Sequence, residues 1–157
     1  MEEREFTIVN RETPRLESAD KATGLGKYTD DLTMPNMAYA ALVRSPHSHA
    51  KVLGIDTSEA EKIPGYLGCA LPEESPQEYF NCSGNPPSPL LMADEKVLTD
   101  EPLVLGDRVA VVAAETEEAA RAAAEAVKRE NEVIAPLLDF NSALAENVPA
   151  LPPHISQ

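Results

Sequence analysis

The stretch RVAVVAAETEEAARAAAEAV, residues 108–127, decides the fold. After its leading arginine, the segment 108–114 is apolar on both faces, which is typical of a strand in the centre of a sheet. Thr116 can cap a helix that begins at Glu117, and acidic residues in the first turn suit the helix dipole. The stretch therefore predicts a central strand followed directly by a helix over 116–126.

The predicted helix has a small apolar face and a charged face. The i, i+3, i+4, i+7 spacing of one face is filled by Ala120, Ala123, Ala124 and Val127. Charged residues of alternating sign lie four apart on the other face, at Glu117, Arg121, Glu125 and Arg129. Because alanine has a short side chain, we expect this helix to lie close against a sheet.

Three shorter strands are predicted before this unit, over residues 37–43, 51–56 and 66–71. The link 44–50 between the first two is short, so we expect them to pair as an antiparallel hairpin. Strands mixed with helices give an α+β fold. We expect a mixed sheet packed against one main helix and short helices.

Short helices and one ambiguous segment complete the prediction. Ser58 and Glu61 have the spacing of a capping box, which predicts a helix start at that point. Asp139 is placed to cap a short helix that runs through Leu144. Residues 126–135 fit either a further strand or a continuation of the main helix, and periodicity alone leaves both open.

The chain divides into three predicted parts. Residues 1–14 form an extended N-terminal arm, 15–146 a single domain, and 147–157 an irregular, Pro-containing tail. Within the domain, residues 72–95 are rich in proline and asparagine. We expect this loop to be mobile or held by neighbouring molecules, since few of its residues can be buried.

Composition and charge disfavour several classes of partner. The chain has 157 residues, 43% of them apolar but only 4% aromatic, so one core built from aliphatic side chains is expected. Its formal net charge is −14, most of it carried by residues 52–157. Such a charge disfavours nucleic acid and anionic membranes. Two cysteines without a basic, apolar leader favour the cytoplasm.

Residues that could carry chemistry are few. His47 and His49 are the one close histidine pair, and on a strand they would share a face that could hold a metal. No third ligand is visible nearby, so a pair satisfied by local hydrogen bonds is the competing interpretation. Cys69 lies in an apolar run and is expected to be a small buried hydrophobe. Cys82 lies in a loop with no feature that would lower its pKa.

Several segments together resemble one known family, the xanthine dehydrogenase and aldehyde oxidase family, in its molybdenum-binding subunit. KATGLGKYTDD at 21–31 is similar to the opening KVTGxAxYTDD of that subunit, and RSPHSHA at 44–50 to its RSPxAHA. Further matches follow in the family's order at 55–58, 63–65, 106–110, 111–116 and 137–139. Arg108 stands where the family usually has proline.

The resemblance implies an α/β-hammerhead domain over residues 15–146, and it makes 127–134 a strand. In the family, molybdopterin, the metal and the catalytic glutamate belong to the longer region after this domain. Iron–sulfur and flavin sites lie on other domains or subunits. The resemblance therefore implies no catalytic, cofactor-binding or metal-binding residue in this chain.

Two hypotheses follow. The first is a non-catalytic structural and interaction domain of a molybdenum hydroxylase that lacks the molybdopterin-binding region. It would dock on the molybdenum-binding domain or subunit and on an iron–sulfur subunit, or form a homo-oligomer when isolated. Its interface candidates are Arg44, Ser45, His47 and His49. The alternative is a stand-alone small metal- or ligand-binding protein that uses His47 and His49.

Overall fold

The computed structural model describes residue 8 and residues 12–82 and 93–144. The chain divides into two compact units, residues 1–37 and 38–157. Of the predicted N-terminal arm, residue 8 and residues 12–14 are described, and all are exposed and outside helices and strands. The predicted tail, 147–157, lies outside the described residues, as does 83–92 of the predicted loop.

The first unit contains a short helix, α1 (Ser18–Thr23), that the sequence patterns did not predict. It ends at Gly24, whose backbone has a positive φ of 75°. Such a conformation favours glycine, and the Gly24 N–H donates back to the helix. A 3₁₀ turn follows at Thr29–Asp31, closed by the Tyr28 N–H, which donates to Asp31 Oδ2 at 2.9 Å.

The described residues of the second unit form five strands and two helices. The strands are β1 (Tyr39–Arg44), β2 (Ala50–Asp56), β3 (Tyr66–Ala70), β4 (Arg108–Ala114) and β5 (Lys128–Val133). The helices are α2 (Glu117–Ala126) and α3 (Phe140–Ala143). Short 3₁₀ turns lie at Ala60–Lys62 and Pro72–Glu74. The α+β class is confirmed.

The strands form two separate antiparallel sheets. One has the order β1-β4-β3, so β4 is central as predicted, and the other is the two-stranded ribbon β2-β5. In place of the expected mixed sheet there are two antiparallel sheets. The expected β1-β2 hairpin is wrong, because the two strands lie in different sheets. The reason lies in the link between them: the Ser45 N–H donates to Asp107 O and the Ala50 N–H to Pro102 O. These bonds hold the link against the 100–107 loop, so β2 does not fold back on β1 and pairs with β5 instead.

The core lies between α2 and one face of the three-stranded sheet. Its buried members are Val43, Ala60, Ala110, Val112, Ala123 and Val127. Ala123 is fully buried and Ala120 1% exposed, as the alanine face of the helix predicts. Thr116 caps the helix, with Oγ1 accepting from the Ala119 N–H at 3.1 Å. The short alanine side chains let the helix approach the sheet closely.

Of the remaining local predictions, the strand and the cap at Asp139 are confirmed, and the capping box is wrong. The ambiguous segment is strand β5, as the family resemblance implied. Asp139 caps α3, accepting from the Ser142 N–H at 2.9 Å. The capping box at Ser58 and Glu61 is wrong: the Ser58 N–H donates to Asp56, and the Glu61 carboxylate accepts from Thr57 Oγ1. Only a 3₁₀ turn follows there.

Within the described part of the chain, no helix is long and apolar enough to cross a lipid bilayer.

Candidate functional site

The link between β1 and β2 carries the four residues that the sequence nominates for an interface. Ser45 is 4% exposed, and its hydrogen bonds are internal. Its Oγ donates to His47 O at 2.8 Å and accepts from the His47 N–H at 3.1 Å. The Gly106 N–H donates to Ser45 O at 3.0 Å. Ser45 therefore holds the bend in place and presents little surface to a partner.

Arg44 joins the two sheets at their common end. Its Nη1 donates to Gly106 O at 2.9 Å, while its carbonyl accepts from Arg129 Nη1 on β5 at 2.5 Å. Arg44 is an exposed residue. This arginine both fixes the junction between the sheets and leaves a cation on the surface.

His47 and His49 are half-buried and lie in a bend. The argument for a shared strand face does not apply in a bend. His49 O accepts from the Ile134 N–H at 3.0 Å, and His49 Nδ1 is buried without a hydrogen-bond partner in the described residues. No group of three or more His, Cys, Asp and Glu side chains is placed to hold a metal within residues 12–82 and 93–144. Neither imidazole is fully buried, so a docking role for this bend stays a prediction.

A polar cluster that sequence reasoning missed surrounds Arg108. Arg108 Nη2 donates to Glu95 Oε2 at 2.9 Å and to Lys96 O at 3.0 Å. Its guanidinium carbon lies 5.8 Å from the centre of the Phe80 ring, within the range of a cation–π contact. Backbone bonds between Phe80 and Glu95 form an isolated bridge beneath it. The cluster joins Phe80, Glu95 and Lys96 to β4 through Arg108.

The thiol of Cys82 belongs to the same cluster. Cys82 Sγ donates to Glu95 Oε1, and this bond raises the pKa of the Cys82 thiol. The same bond, helped by Arg108, lowers the pKa of the Glu95 carboxyl from its ordinary value. A raised thiol pKa disfavours the thiolate, so this environment does not make Cys82 a nucleophile. Cys69 is half-buried beside the core, and burial raises the pKa of its thiol also.

One sequence signal pointed toward this cluster. Arg108 replaces the proline that the resembled family usually has, and proline has neither a guanidinium nor a backbone N–H. An arginine at the start of a central strand must find partners for a partly buried charge. The sequence does not say which acidic residue supplies them, because Glu95 lies on a segment without hydrophobic periodicity.

Comparisons with known proteins agree on one family. The family model described as aldehyde oxidase and xanthine dehydrogenase, a/b hammerhead domain, matches residues 23–133. The xanthine dehydrogenase molybdenum-binding subunit of Escherichia coli O157:H7 is 35% identical over 137 residues, which are 85% of this chain and 18% of that protein. A probable hypoxanthine oxidase of the same organism is 29% identical over 94% of this chain and 15% of its own length.

Solved structures of similar fold come from the same family. The aldehyde oxidoreductase of Desulfovibrio desulfuricans superposes with a TM-score of 0.76 at 32% identity, over 89% of this chain and 16% of that one. The chain thus spans less than a fifth of the length of these relatives. Sequence and fold together show that this chain belongs to the aldehyde oxidase and xanthine dehydrogenase family and carries its a/b hammerhead domain.

Proposed function

We propose that this chain is a non-catalytic interaction domain of a molybdenum hydroxylase. The observation that carries the proposal is the match of residues 23–133 to the model of the family's a/b hammerhead domain. The relative named as a molybdenum-binding subunit has most of its length outside the shared segment. In this proposal the chain docks on that remaining region and on an iron–sulfur subunit, in the cytoplasm.

The donor set of the chain supports a role without its own cofactor. A protein-bound iron–sulfur cluster takes four cysteine ligands or a mixture of cysteine and histidine. The whole sequence has two cysteines and three histidines, and the thiols of Cys69 and Cys82 both have raised pKa values. Within residues 12–82 and 93–144, no three His, Cys, Asp or Glu side chains lie together, so the described residues do not form the ligand set of such a cluster. We therefore assign the molybdopterin, iron–sulfur and flavin chemistry of the parent enzyme to other domains or subunits.

A chimera tests the proposal. The 137-residue segment of the E. coli molybdenum-binding subunit that matches this chain is replaced by the full chain, and a matched control carries the deletion alone. We expect the chimera to retain molybdenum, measured by mass spectrometry of the metal, and the deletion to lose it. The isolated chain should bind no molybdenum and should not oxidise xanthine or an aldehyde.

Two results would count against the proposal. A folded chimera that holds no more molybdenum than the deletion would show that the chain does not support the molybdenum-binding region. Stoichiometric molybdenum in the isolated chain, or turnover by it, would show that the chain is itself catalytic.

A further inference from the structure

The face of the three-stranded sheet that points away from α2 is apolar and partly open. On this face Leu42 of β1 lies opposite Val111 of β4, which in turn lies opposite Ala70 of β3. Leu42 is 38% exposed, whereas its neighbour Val43, which points to the helix side, is 2% exposed. Alternate residues of the same strand therefore meet very different surroundings.

A groove of about 330 Å³ lies over this row of side chains. Its apolar walls are completed by Phe80, Val97 and Leu98, which come from the segments on either side of 83–92. Val97 is 43% exposed and Leu98 3% exposed, so the groove has a buried floor and an open wall. A cleft of this size accepts one or two large apolar side chains of a partner.

Arg108 and Glu74 supply the charged groups of the groove. Arg108 Nη2 is engaged by Glu95 and Lys96 O, which fixes the guanidinium beside Phe80. Glu74 accepts the Leu71 N–H at 2.9 Å through its carboxylate. Both groups are held by this chain before any partner arrives, so the walls of the groove are preorganised.

The segments that carry the groove are acidic. Glu73, Glu74, Glu78 and Asp94 are exposed, and none of them forms an ion pair in the described residues. The one lysine of these segments, Lys96, lies 5.2 Å from the centre of the Tyr79 ring. An apolar cleft with unpaired carboxylates around it is complementary to apolar side chains flanked by lysine or arginine.

We propose that this groove is the docking surface for the molybdenum-binding region of the parent enzyme. The occupant is one or two large apolar side chains of that region, flanked by lysine or arginine residues that face Glu73, Glu74, Glu78 and Asp94. The inference rests on the proposed function. It adds a second surface to the bend at Arg44–His49, and the two adjoin where Arg44 pairs with Arg108.

Thiol labelling in the chimera tests this surface. Val97→Cys and, separately, Leu42→Cys are made in a Cys69→Ala, Cys82→Ser background, with Ala122→Cys on the exposed side of α2 as the matched control. Circular dichroism confirms that each variant folds. Labelling by a maleimide is followed by peptide mass spectrometry in the isolated chain and in the chimera. We expect both groove thiols to react about tenfold or more slowly in the chimera, because a covered thiol reacts only through local opening.

A charge test examines the partner's chemistry. In the chimera with Val97→Cys, the pair Glu73→Lys and Glu78→Lys should restore labelling severalfold, since like charges then face each other. The same change of charge on α2, Glu118→Lys with Glu125→Lys, should leave labelling as it was. If labelling is restored by both double substitutions, or by neither of them, the assignment of a basic partner is overturned.

The labelling outcomes separate this inference from the proposed function. A chimera that retains molybdenum and labels its groove thiols as fast as the isolated chain would overturn the docking surface and leave the proposed function intact. Protection in the isolated chain at every concentration would mean that the chain's own residues cover the groove. Protection that grows with concentration would assign the groove to a second copy. Loss of molybdenum in the chimera would overturn both.

Discussion

The two faces of the three-stranded sheet are built from alternate residues of the same strands, but they differ in how deeply their side chains are buried. Under α2, Val43, Ala110 and Val112 are almost fully buried. On the opposite face, Leu42, Val111 and Ala70 line a groove and keep part of their surface in solvent. Hydrophobic burial is the dominant favourable term in folding, so the helix side should carry the stability and the groove side should be available for binding.

The largest expected difference between the faces comes from two neighbouring valines of β4. Val112→Ala removes two buried methyl groups in the core, and we expect the free energy of unfolding to fall by about 2–3 kcal/mol. Val111→Ala makes the same chemical change on the groove face and should lower it by less than about 1 kcal/mol. Urea denaturation of the two variants measures both values. Equal losses would show that the faces contribute alike.

A second comparison overpacks the helix side of the core. Ala123→Leu places a large side chain against the sheet and should lower the free energy of unfolding by about 1–3 kcal/mol. Ala122 is exposed on the same helix, so Ala122→Leu should change it by less than about 0.5 kcal/mol. Thermal unfolding followed by circular dichroism compares the two. An unchanged midpoint for Ala123→Leu would contradict the packing described for α2.

The cap of α2 offers a smaller effect on the same side. Thr116→Ala leaves the Ala119 N–H without its side-chain acceptor and should lower the free energy of unfolding by about 1 kcal/mol. Thr116→Ser keeps a hydroxyl at that position and is expected to stay near wild type. If the serine variant is as unstable as the alanine variant, the hydroxyl is not the source of the effect.

The smallest effect lies on the groove side and depends on pH. Hydrogen bonds from Cys82 and Arg108 lower the pKa of Glu95, so the ionised carboxylate is favoured in the folded state. Its stabilising contribution is present above the unfolded pKa and is lost as the pH falls through the folded pKa. We therefore expect Glu95→Gln to be less stable than wild type at pH 7, with a difference that shrinks below about pH 4.

Denaturation curves of Glu95→Gln and wild type across that range measure the effect. Glu78→Gln is the control, because Glu78 forms no ion pair in the described residues. A difference between Glu95→Gln and wild type that grows on acidification would reverse the sign expected here.

Sequence periodicity predicted the elements well where each one obeys a local rule. The strand at 108–114, the helix capped by Thr116 and the short helix capped by Asp139 all follow from patterns within about ten residues. The pairing of the strands could not be predicted from such local patterns. β1 and β2 are adjacent in sequence, but each pairs with a distant strand, because the bonds of Ser45 and Ala50 to the 100–107 loop are long-range contacts.

The two candidate surfaces also differ in how far the sequence predicted them. The bend at 44–50 was found because its residues match a family motif, although the buried role of Ser45 was not foreseen. The groove was missed, since its walls come from β1, β3, β4 and the segments around Phe80 and Val97. No single window of sequence contains it. Two signals marked the region as unusual, the exchange of proline for Arg108 and the proline-rich loop 72–95, but neither predicted a groove.

The β2-β5 ribbon has a consequence for the order in which the chain folds. Ala50 pairs with Val133 and Asp56 with Lys128, so the ribbon joins strands from distant parts of the chain. Closing a long loop is entropically costly before contacts compensate for it, and an isolated two-stranded ribbon is only marginally stable. β3, β4 and α2 lie between these two strands in sequence, and their packing with β1 brings the two strands together. We therefore expect the ribbon to form last during folding and to open first during unfolding.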